Sequence, residues 1–544
     1  MERKWWTLVA VCSATFMLLL DITIVVVALP DIQRVLHTSF GEVQWVVDAY
    51  ALTLAALLLT AGSLADRYGR RLLFLIGLGV FTAGSALCAA AQTPTMLVAS
   101  RALQGVGGAV LFATSLALLA MNFHGRERGV AFGVWGAVTG ISTALGPILG
   151  GLITSGVSWR GIFWVNLPIG AAAIAITLWK VTESRAPHAH RPDLPGFATL
   201  TAGLVALVYG LIRASEQGWG DGGVLTCFVL AAVLLVAFIV VETRVAHPMF
   251  DLSLLRIPTF LGGSVAAFAM NGSLFAMLLY LTVYLQNALG YSALQAGLRV
   301  LILSATAMVV STVAGRASTR LPVRWLIGPG LVLVGVGLLL MAGLDADSGW
   351  THLIPGFIVA GAGSGLVNPP LASTAVGVVH PFRSGMASGV NTTFRQVGIA
   401  VGTAAYGSIF AAQLADGLGD RLAGVPELAG RGEQIADAVR GGGAGEVIGA
   451  APAAVRGTLA EAIDAGFAGA LNDLFVTSGI LAIAGGVLAL VLIRAKDFAA
   501  VPQQADLAGA GATGASPAAA NLAVASPAAA RPATATPEGA SPTA

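Results

Sequence analysis

Long apolar runs separated by short polar segments recur along the whole chain of 544 residues. Fourteen of these runs reach about 20 residues, the length that an α-helix needs to cross a hydrocarbon core about 30 Å thick. The first run contains Asp21 and extends to Leu29, so it is too long for the apolar part of a signal peptide. We therefore predict membrane-spanning helices over residues 6–30, 43–65, 71–92, 95–121, 130–155, 161–181, 195–214, 223–242, 259–287, 293–316, 323–343, 352–377, 385–412 and 472–494.

The composition fits a chain that faces lipid rather than water. Hydrophobic residues make up 56% and charged residues 10% of the chain, and the mean hydropathy is +0.83, whereas soluble domains carry about 25% charged residues. A net charge of +2 gives no reason to expect a nucleic-acid partner. The predicted fold class is all-α and integral to the lipid bilayer, with 14 transmembrane helices.

The basic residues determine the predicted orientation. If the N-terminus is cytoplasmic, eighteen Lys and Arg residues fall in or beside the cytoplasmic connections, and the short outer connections hold three, Arg34, Arg160 and Arg213. Cytoplasmic loops of membrane proteins carry an excess of Lys and Arg, and an even number of spans returns the chain to its starting side. We therefore expect a multi-pass protein of the cell membrane with both termini in the cytoplasm.

Residues that would support metal or nucleotide chemistry are sparse. Cys12, Cys88 and Cys227 lie in separate apolar runs, and the His-x-His pair of His188 and His190 lies in a connection where a solvated loop is the simpler interpretation. The sequence has no phosphate-binding loop of the GxxxxGK[ST] type. It also has no histidine–carboxylate or nucleophile cluster. We expect no metal, no cofactor, no ATP hydrolysis and no enzymatic activity.

A short polar sequence occurs twice. Residues 62–71 join the second and third predicted spans, and residues 315–324 join the tenth and eleventh with Gly, Arg and Arg at the same offsets. Two related six-helix halves are typical of alternating-access transporters, whose substrate site lies near the membrane midplane. The predicted organisation is a six-helix half over 1–182, two inserted spans with flanking loops over 183–258, a second six-helix half over 259–498 that includes an extracytoplasmic loop at 413–471, and a disordered cytoplasmic tail over 499–544.

Four stretches resemble a known family. Residues 62–71 are similar to the GxLaDrxGrk signature of the major facilitator superfamily. Within that superfamily, residues 20–30 (LDITIVVVALP), 140–151 (GISTALGPILGG) and 159–170 (WRGIFWVNLPIG) resemble motifs of the 14-helix drug:proton antiporters. Val26 stands where this family usually has Asn, which removes one polar group from the first span. The resemblance extends over about residues 5–495 and implies the fold and activity of a multidrug resistance exporter.

Two acidic residues are candidates for proton coupling. Asp21 lies near the middle of the first span, where a carboxylate costs about 2.5–3.5 kcal/mol on insertion scales. A carboxyl group out of water takes up a proton more readily than one in water, so Asp21 is the first candidate; the alternative is a neutral Asp hydrogen-bonded to a neighbouring helix. Asp48, about one turn into the second span, is a second proton carrier, an attractor of cationic substrate, or an interfacial side chain in water.

Arg101 begins the sequence RALQGVGG in the fourth span, which is similar to the RxxQGxG motif of the family. A buried guanidinium needs a hydrogen-bond acceptor. The resemblance implies that Arg101 modulates proton release from the coupling carboxylate. The alternative is a side chain that extends toward the inner surface, although its depth in the span disfavours this.

The loop at residues 62–71 is predicted to act as a gate on the inner side. Gly62 and Gly69 allow close approach of the backbone, and Asp66 is expected to cap the start of the third span and to pair with an inner-side Arg. The basic residues of this loop also set the topology: Arg67, Arg70 and Arg71.

The fifth span carries glycines at i, i+4, i+7 and i+11 from Gly129, a smooth face against which another helix can pack closely. Pro147 removes a backbone donor and kinks the helix. The resemblance associates this antiporter motif with export, and general glycine-rich packing is the alternative. The residues of the motif are Gly140, Gly146, Pro147, Gly150 and Gly151.

Candidates for the substrate cavity come from later spans. Tyr280 and Tyr284 lie four residues apart in the ninth span, with Gln286 nearby, although aromatic pairs at this spacing more often pack in a core. Arg395, in the thirteenth span, is an intramembrane charge for which the sequence offers no partner.

These features predict a monomeric, proton-coupled antiporter that exports hydrophobic or cationic drugs or antibiotics by alternating access. A dedicated exporter of one endogenous metabolite, such as a self-made antibiotic, an amino acid or a lipid-like product, is the first alternative. A membrane sensor or scaffold built on a transporter fold ranks lower, because Asp21 and Arg101 are both present.

Overall fold

A computed structural model describes the chain from residue 2 to residue 499, apart from residues 39, 124, 186–192, 246–247, 249, 319, 380–382, 426–427, 429 and 441–443. The described residues form α-helices with short 3₁₀ and π segments, and no β-strand occurs among them. His188, His190 and residues 500–544 of the predicted tail lie outside the described part.

Fourteen long helices follow one another along the described chain. Each of the fourteen predicted spans coincides with one of these helices, and thirteen of them are long and apolar enough to cross a membrane. The exception is the glycine-rich fifth helix. In chain order they are α1 Arg3–Leu36, α2 Phe40–Tyr68, α3 Arg70–Ala90, α4 Pro94–Asn122, α5 Gly125–Gly156, α6 Gly161–Lys180, α7 Leu194–Gln217, α8 Gly222–Arg244, α9 Pro258–Gln286, α10 Ala293–Ala317, α11 Arg324–Met341, α12 Ile354–Gly377, α13 Ser384–Leu422 and α14 Arg456–Leu492.

Polar residues between the apolar runs set several helix ends. The side chain of Thr93 accepts a hydrogen bond from the backbone N–H of Met96 at the start of α4, and that of Asp221 accepts one from Val224 at the start of α8. Ser292 and Gln295 form a capping box at the start of α10. Such caps satisfy backbone N–H groups that have no partner within the helix. The helices therefore begin where the sequence changes from polar to apolar.

The predicted loop at residues 413–471 is largely helical. α13 continues to Leu422 and α14 begins at Arg456, and two short helices, Gly432–Arg440 and Ala444–Ala450, lie between them. Apolar side chains from these helices, including Leu418, Ile435 and Leu459, are buried in one cluster that continues into the last six helices. The segment is therefore part of the same apolar core as the last six helices.

Two close contacts join the first six helices to the last six. Gly133 of α5 lies against Gly315 of α10, where a Cβ on Gly315 would come within 2.5 Å of the Gly129 carbonyl oxygen. Gly62 of α2 lies against Gly385 of α13, whose carbonyl oxygen would be 2.2 Å from a Cβ on Gly62. Only a residue without a side chain allows backbones to approach this closely.

The two inserted helices lie at the side of the bundle. Apolar residues of α7, such as Leu200 and Leu204, are buried in a cluster with Leu59 of α2 and Val390 of α13. α8 packs chiefly on α7, and its other faces carry exposed apolar side chains such as Val229 and Val236. α7 therefore covers the line where α2 meets α13.

The Gly133–Gly315 contact predicts a sharp difference between two glycine-to-alanine variants. Gly315→Ala would place a methyl group against the backbone of α5 and is expected to destabilise the protein by about 1–3 kcal/mol. Gly79→Ala, on a face of α3 with no atom within 4 Å, should be neutral or stabilising because Ala favours helix. Thermal unfolding in detergent measures both changes, and equal melting temperatures for the two variants would contradict the packing described.

Candidate functional site

Asp21 lies at the centre of a buried polar cluster. Its side chain is 0% exposed and accepts hydrogen bonds from Arg101 Nη1 at 2.5 Å, Gln104 Nε2 at 2.8 Å and Asn166 Nδ2 at 2.9 Å. Gln104 and Asn166 also donate to the hydroxyl of Ser85, at 2.7 and 3.2 Å. Four helices, α1, α3, α4 and α6, thus contribute to one polar cluster around a single carboxylate.

Arg101 is buried and contacts a carboxylate, an amide, a backbone carbonyl and an aromatic ring. It is 1% exposed; its Nε donates to the Val46 carbonyl at 3.0 Å, and its Nη1 donates to Gln104 Oε1 at 2.6 Å as well as to Asp21. The guanidinium carbon lies 4.3 Å from the centre of the Tyr50 ring, a favourable cation–π distance. Arg101 thus has three acceptors, and the charged one is the Asp21 carboxylate.

The cluster can hold a charge pair away from water. A buried ion pair is tolerated only when its geometry is good and its remaining donors and acceptors are satisfied. Neutral amides from Gln104 and Asn166 satisfy the second carboxylate oxygen, so Asp21 is stabilised without a second positive charge. A proton that binds Asp21 would remove the ionic part of its contact with Arg101 and leave these amide contacts available.

Asp48 lies in α2 and is half-buried. Arg101 donates to the backbone two residues earlier, at Val46. Asp48 is therefore close in sequence to the cluster, and its role in proton coupling stays a prediction.

Asp66 joins the end of α2 to the start of α13. Its carboxylate accepts from the backbone N–H groups of Gly385 and Met386 at 2.9 and 2.8 Å, and from Arg70 Nη2 at 2.6 Å. Free N–H groups and the positive end of the helix dipole make a helix N-terminus a favourable place for a carboxylate. We call this set of contacts the Asp66 latch.

The prediction that Asp66 caps the start of α3 was wrong. Glu183 does so instead: its carboxylate accepts from the backbone N–H groups of Arg71 and Leu72 at 3.1 and 3.0 Å. Gly69 precedes α3 with φ +118°, and a Cβ there would lie 2.7 Å from the Glu183 carboxylate. Arg71 donates to the Thr177 and Leu178 carbonyls at the end of α6, whereas Arg67 is half-buried at the end of α2.

The glycines of α5 face two different helices. Gly133, Gly136 and Gly140 lie beside α10, as the periodic pattern predicts. Gly146 and Gly150 lie beside α1, next to Thr23 and Ile24; Gly151 lies beside Leu294 of α10. The backbone of Pro147 continues the helix between them. α5 is therefore packed between the helix of Asp21 and the last six helices.

A small cavity lies where α5 meets the last six helices. Its polar lining includes Thr139 of α5, Ser304 and Ser311 of α10, and Ser364 and Asn368 of α12. Arg395 Nη1 donates to Asn368 Oδ1 at 3.2 Å, which places this arginine beside the cavity wall.

The predicted aromatic lining lies elsewhere. Tyr280 donates to the Thr403 carbonyl at 2.7 Å and packs against Tyr406 and Phe410. Tyr284 is buried and donates to the Ser348 carbonyl at 3.3 Å. Gln286 is half-buried in a π segment at the end of α9. None of the three lines the cavity described above, and their contacts fit the packing alternative.

Comparison with known sequences decides the family. The sequence profile described as "Major Facilitator Superfamily" matches residues 11–403. The chain belongs to the major facilitator superfamily.

Several characterised members of the superfamily are similar over most of their length. The chain is 33% identical to the tetracenomycin C resistance and export protein of Streptomyces glaucescens, over 92% of this chain and 94% of that protein. It is 38% identical to the multidrug resistance protein Stp of Mycobacterium tuberculosis, over 75% and 76%, and 38% identical to the puromycin resistance protein pur8 of Streptomyces alboniger, over 76% and 84%. The names of all three refer to resistance to a drug or antibiotic, and the name of the first also refers to export. The superfamily consists of transporters rather than enzymes.

A solved structure has the same fold. The human organic anion transporter MFSD10 (TETRAN) superposes with a TM-score of 0.59 at 16% sequence identity, over 90% of this chain and all of that one. The expected major facilitator fold, multi-pass in a membrane, is therefore confirmed.

Sequence reasoning on this superfamily member missed three residues of the cluster. Gln104 stands in the same motif as Arg101, three residues later, and Asn166 stands in the WRGIFWVN segment. Ser85 lies in an otherwise apolar span. Polar side chains are rare inside spans and need partners there. This rule could have predicted that the three residues contact one another, but not which carboxylate they surround.

The Asp66 latch predicts that Asp66→Asn loosens the junction between α2 and α13. The amide loses the charge that attracts Arg70 and the α13 N-terminus, a loss of about 1.5–3 kcal/mol for hydrogen bonds to a charged group. In a chain whose native cysteines are replaced by alanine, the thiol introduced by Met386→Cys should then react with a maleimide at least about tenfold faster when Asp66→Asn is also present.

Asp251→Asn is the matched control for this measurement. Asp251 pairs with Arg383 at 2.5 Å, and the two side chains are 31% and 56% exposed, so the pair contributes little. The labelling rate of the position-386 thiol in Asp251→Asn should equal the rate in the chain that keeps both Asp66 and Asp251. A parent-like rate in Asp66→Asn would show that the latch does not hold the two helices together.

Proposed function

We propose that this protein exports hydrophobic drugs or antibiotics in exchange for protons, by alternating access across the cell membrane. The observation that carries the proposal is the buried contact between Asp21 and Arg101, surrounded by neutral donors. A purely structural ion pair at this depth would be replaceable by apolar residues at little cost or with a gain in stability. A titratable pair instead provides a site for one proton inside the bundle.

Protonation of Asp21 is the proposed coupling step. A proton on the carboxylate cancels its charge, while Gln104 and Asn166 can still donate to one oxygen. Arg101 then keeps the Val46 carbonyl and Gln104 Oε1 as acceptors. The protonated and ionised states thus differ in one contact, between α1 and α4, which favours a shift of these helices relative to each other.

The close packing of α1 on α5 would transmit this shift. Thr23, two residues after Asp21, lies so close to Gly146 that a Cβ there would overlap its hydroxyl oxygen, at 1.8 Å. α5 in turn packs against α10 through Gly133 and Gly315. Because packed interfaces switch between discrete arrangements rather than deform continuously, movement of α1 is expected to move α5 against the last six helices.

The distribution of basic residues supports the proposed orientation. Arg67, Arg70 and Arg71 lie at the end of the bundle where the Asp66 latch joins α2 to α13. Under the positive-inside rule this end is cytoplasmic, with both termini on the same side. The intact latch then corresponds to a state closed toward the cytoplasm.

The names of these relatives support the class of cargo. Tetracenomycin C, puromycin and multidrug resistance are named for proteins that align with most of this chain. A dedicated exporter of one self-made product is the second candidate, and it is favoured by the relative described as both a resistance and an export protein. Export assays with a panel of chemically unrelated compounds separate the two, since a dedicated exporter would move one chemical series.

The coupling step predicts the behaviour of Asp21→Asn. The amide cannot exchange a proton, so export driven by a pH gradient in proteoliposomes should fall to the rate of vesicles without protein. Collapse of the gradient with a protonophore should reduce wild-type export to the same rate.

Asp31→Asn is the matched control, because Asp31 lies in the same helix and pairs with the exposed Arg34. Its export rate should equal wild type. Wild-type export by Asp21→Asn, or wild-type export without a gradient, would refute proton coupling through this residue.

A further inference from the structure

A polar face on α13 lies in the interior of the bundle. Ser388, Asn391 and Arg395 follow one another at i, i+3 and i+7, which places them on one side of the helix. Ser388 is 0%, Asn391 1% and Arg395 9% exposed. Arg395 is eleven residues from the first residue of α13, about 16 Å along the axis, which is close to the middle of a core about 30 Å thick.

The donors of this face outnumber its acceptors. Arg395 Nε donates to Asn391 Oδ1 at 3.1 Å, and Nη1 donates to Asn368 Oδ1 at 3.2 Å. Within the described chain, Arg395 Nη2, Asn391 Nδ2 and Ser388 Oγ contact no hydrogen-bond partner. Both amide oxygens are thus used by the arginine, and the groups left over can all donate.

The charge of Arg395 is also uncompensated. Three arginines are buried among the described residues, and two of them contact a carboxylate: Arg101 contacts Asp21, and Arg70 contacts Asp66. Arg395 forms no ion pair with any described carboxylate, and its partners are neutral amides. A buried, unpaired cation is unfavourable by several kcal/mol, so an anion that reached it would be bound strongly.

The cavity between the two sets of helices lies beside this cation, with Asn368 between them. Asn368, the partner of Arg395 on α12, lines the cavity together with Thr139 of α5 and Ser304 of α10. Pro369 and Pro370 follow Asn368 inside the helix. A proline has no N–H, so each removes one intrahelical hydrogen bond and leaves a carbonyl without its usual donor. α12 is therefore irregular in hydrogen bonding at the point where it meets the cavity.

We propose that Arg395, with Asn368 and Asn391, is a recognition subsite for an anionic oxygen group, a carboxylate or phenolate, on an otherwise hydrophobic cargo. The proposal rests on the proposed export function and specifies its cargo. The guanidinium supplies the charge and the Nη2 donor, and Asn391 Nδ2 supplies a second donor. The subsite disfavours the cationic cargo that the sequence alone left open, because a second positive charge beside Arg395 would be repelled.

The test compares two probes that differ only in charge, 2-anthracenecarboxylate and its methyl ester. Binding to the purified full chain in detergent is followed by probe fluorescence, without a proton gradient. The wild type should bind the carboxylate about tenfold more tightly or more, as expected for one charge-assisted hydrogen bond. Arg395→Gln should lose this preference and bind the ester within about twofold of wild type.

Asn368→Asp tests the same subsite with the arginine in place. The new carboxylate would lie where Asn368 Oδ1 accepts from Arg395 and would neutralise the guanidinium from within the protein. The preference for the carboxylate probe should therefore disappear in this variant too. Arg299→Gln is the matched control. The guanidinium carbon of Arg299, in α10, lies 3.5 Å from the centre of the Tyr291 ring, and loss of this arginine should leave the preference for the carboxylate probe unchanged.

Three results would overturn the assignment: equal affinity of the wild type for both probes, no measurable binding of either, or a preference that survives in both Arg395→Gln and Asn368→Asp. Melting temperatures and ester binding show whether the variants are folded. Failure of proton coupling would instead appear in the Asp21→Asn export assay and would leave the probe preference intact, so the two failures are distinguishable.

Discussion

A charge buried inside a membrane protein is costly unless the protein compensates it, and this constraint organises much of the interior of the bundle. Asp21 is compensated by Arg101, and Asp66 by Arg70 together with the N-terminus of α13. Each contact joins helices that are far apart in the sequence. The first gathers α1, α3, α4 and α6 around one carboxylate, and the second links the first six helices to the last six.

The two sets of six helices use buried charge differently. The first set contains a buried ion pair, Asp21 with Arg101, whose carboxylate is the proposed proton site. The last set contains Arg395, a cation whose partners are neutral amides. Under the two proposals, the proton binds among the first six helices and the cargo binds against the last six. α5 is in contact with both α1 and α10, so it is the element through which either event would affect the other.

Much of the fold could be predicted from the sequence because the bilayer imposes a minimum length on every apolar run. Asp21, Arg101 and the glycines of α5 were identifiable because charges and regularly spaced glycines are rare in such runs. The helix start that Asp66 contacts was not identifiable, since the local rule favours the nearest helix start and the observed one lies more than 300 residues away. The packing of residues 413–471 was not identifiable for a related reason, because their apolar side chains share one cluster with residues of the last six helices that are distant in the sequence.

The position of α7 has a consequence for how such a bundle can move. α7 rests on α2 and α13 together through apolar side chains such as Leu200 and Leu204, and apolar contact is non-directional. These apolar contacts alone would therefore not fix α7 in one position on the two helices beneath it. The inserted pair would cover the junction of α2 and α13 on the side that faces lipid. A cargo molecule dissolved in the membrane would then have to enter the bundle between other helices.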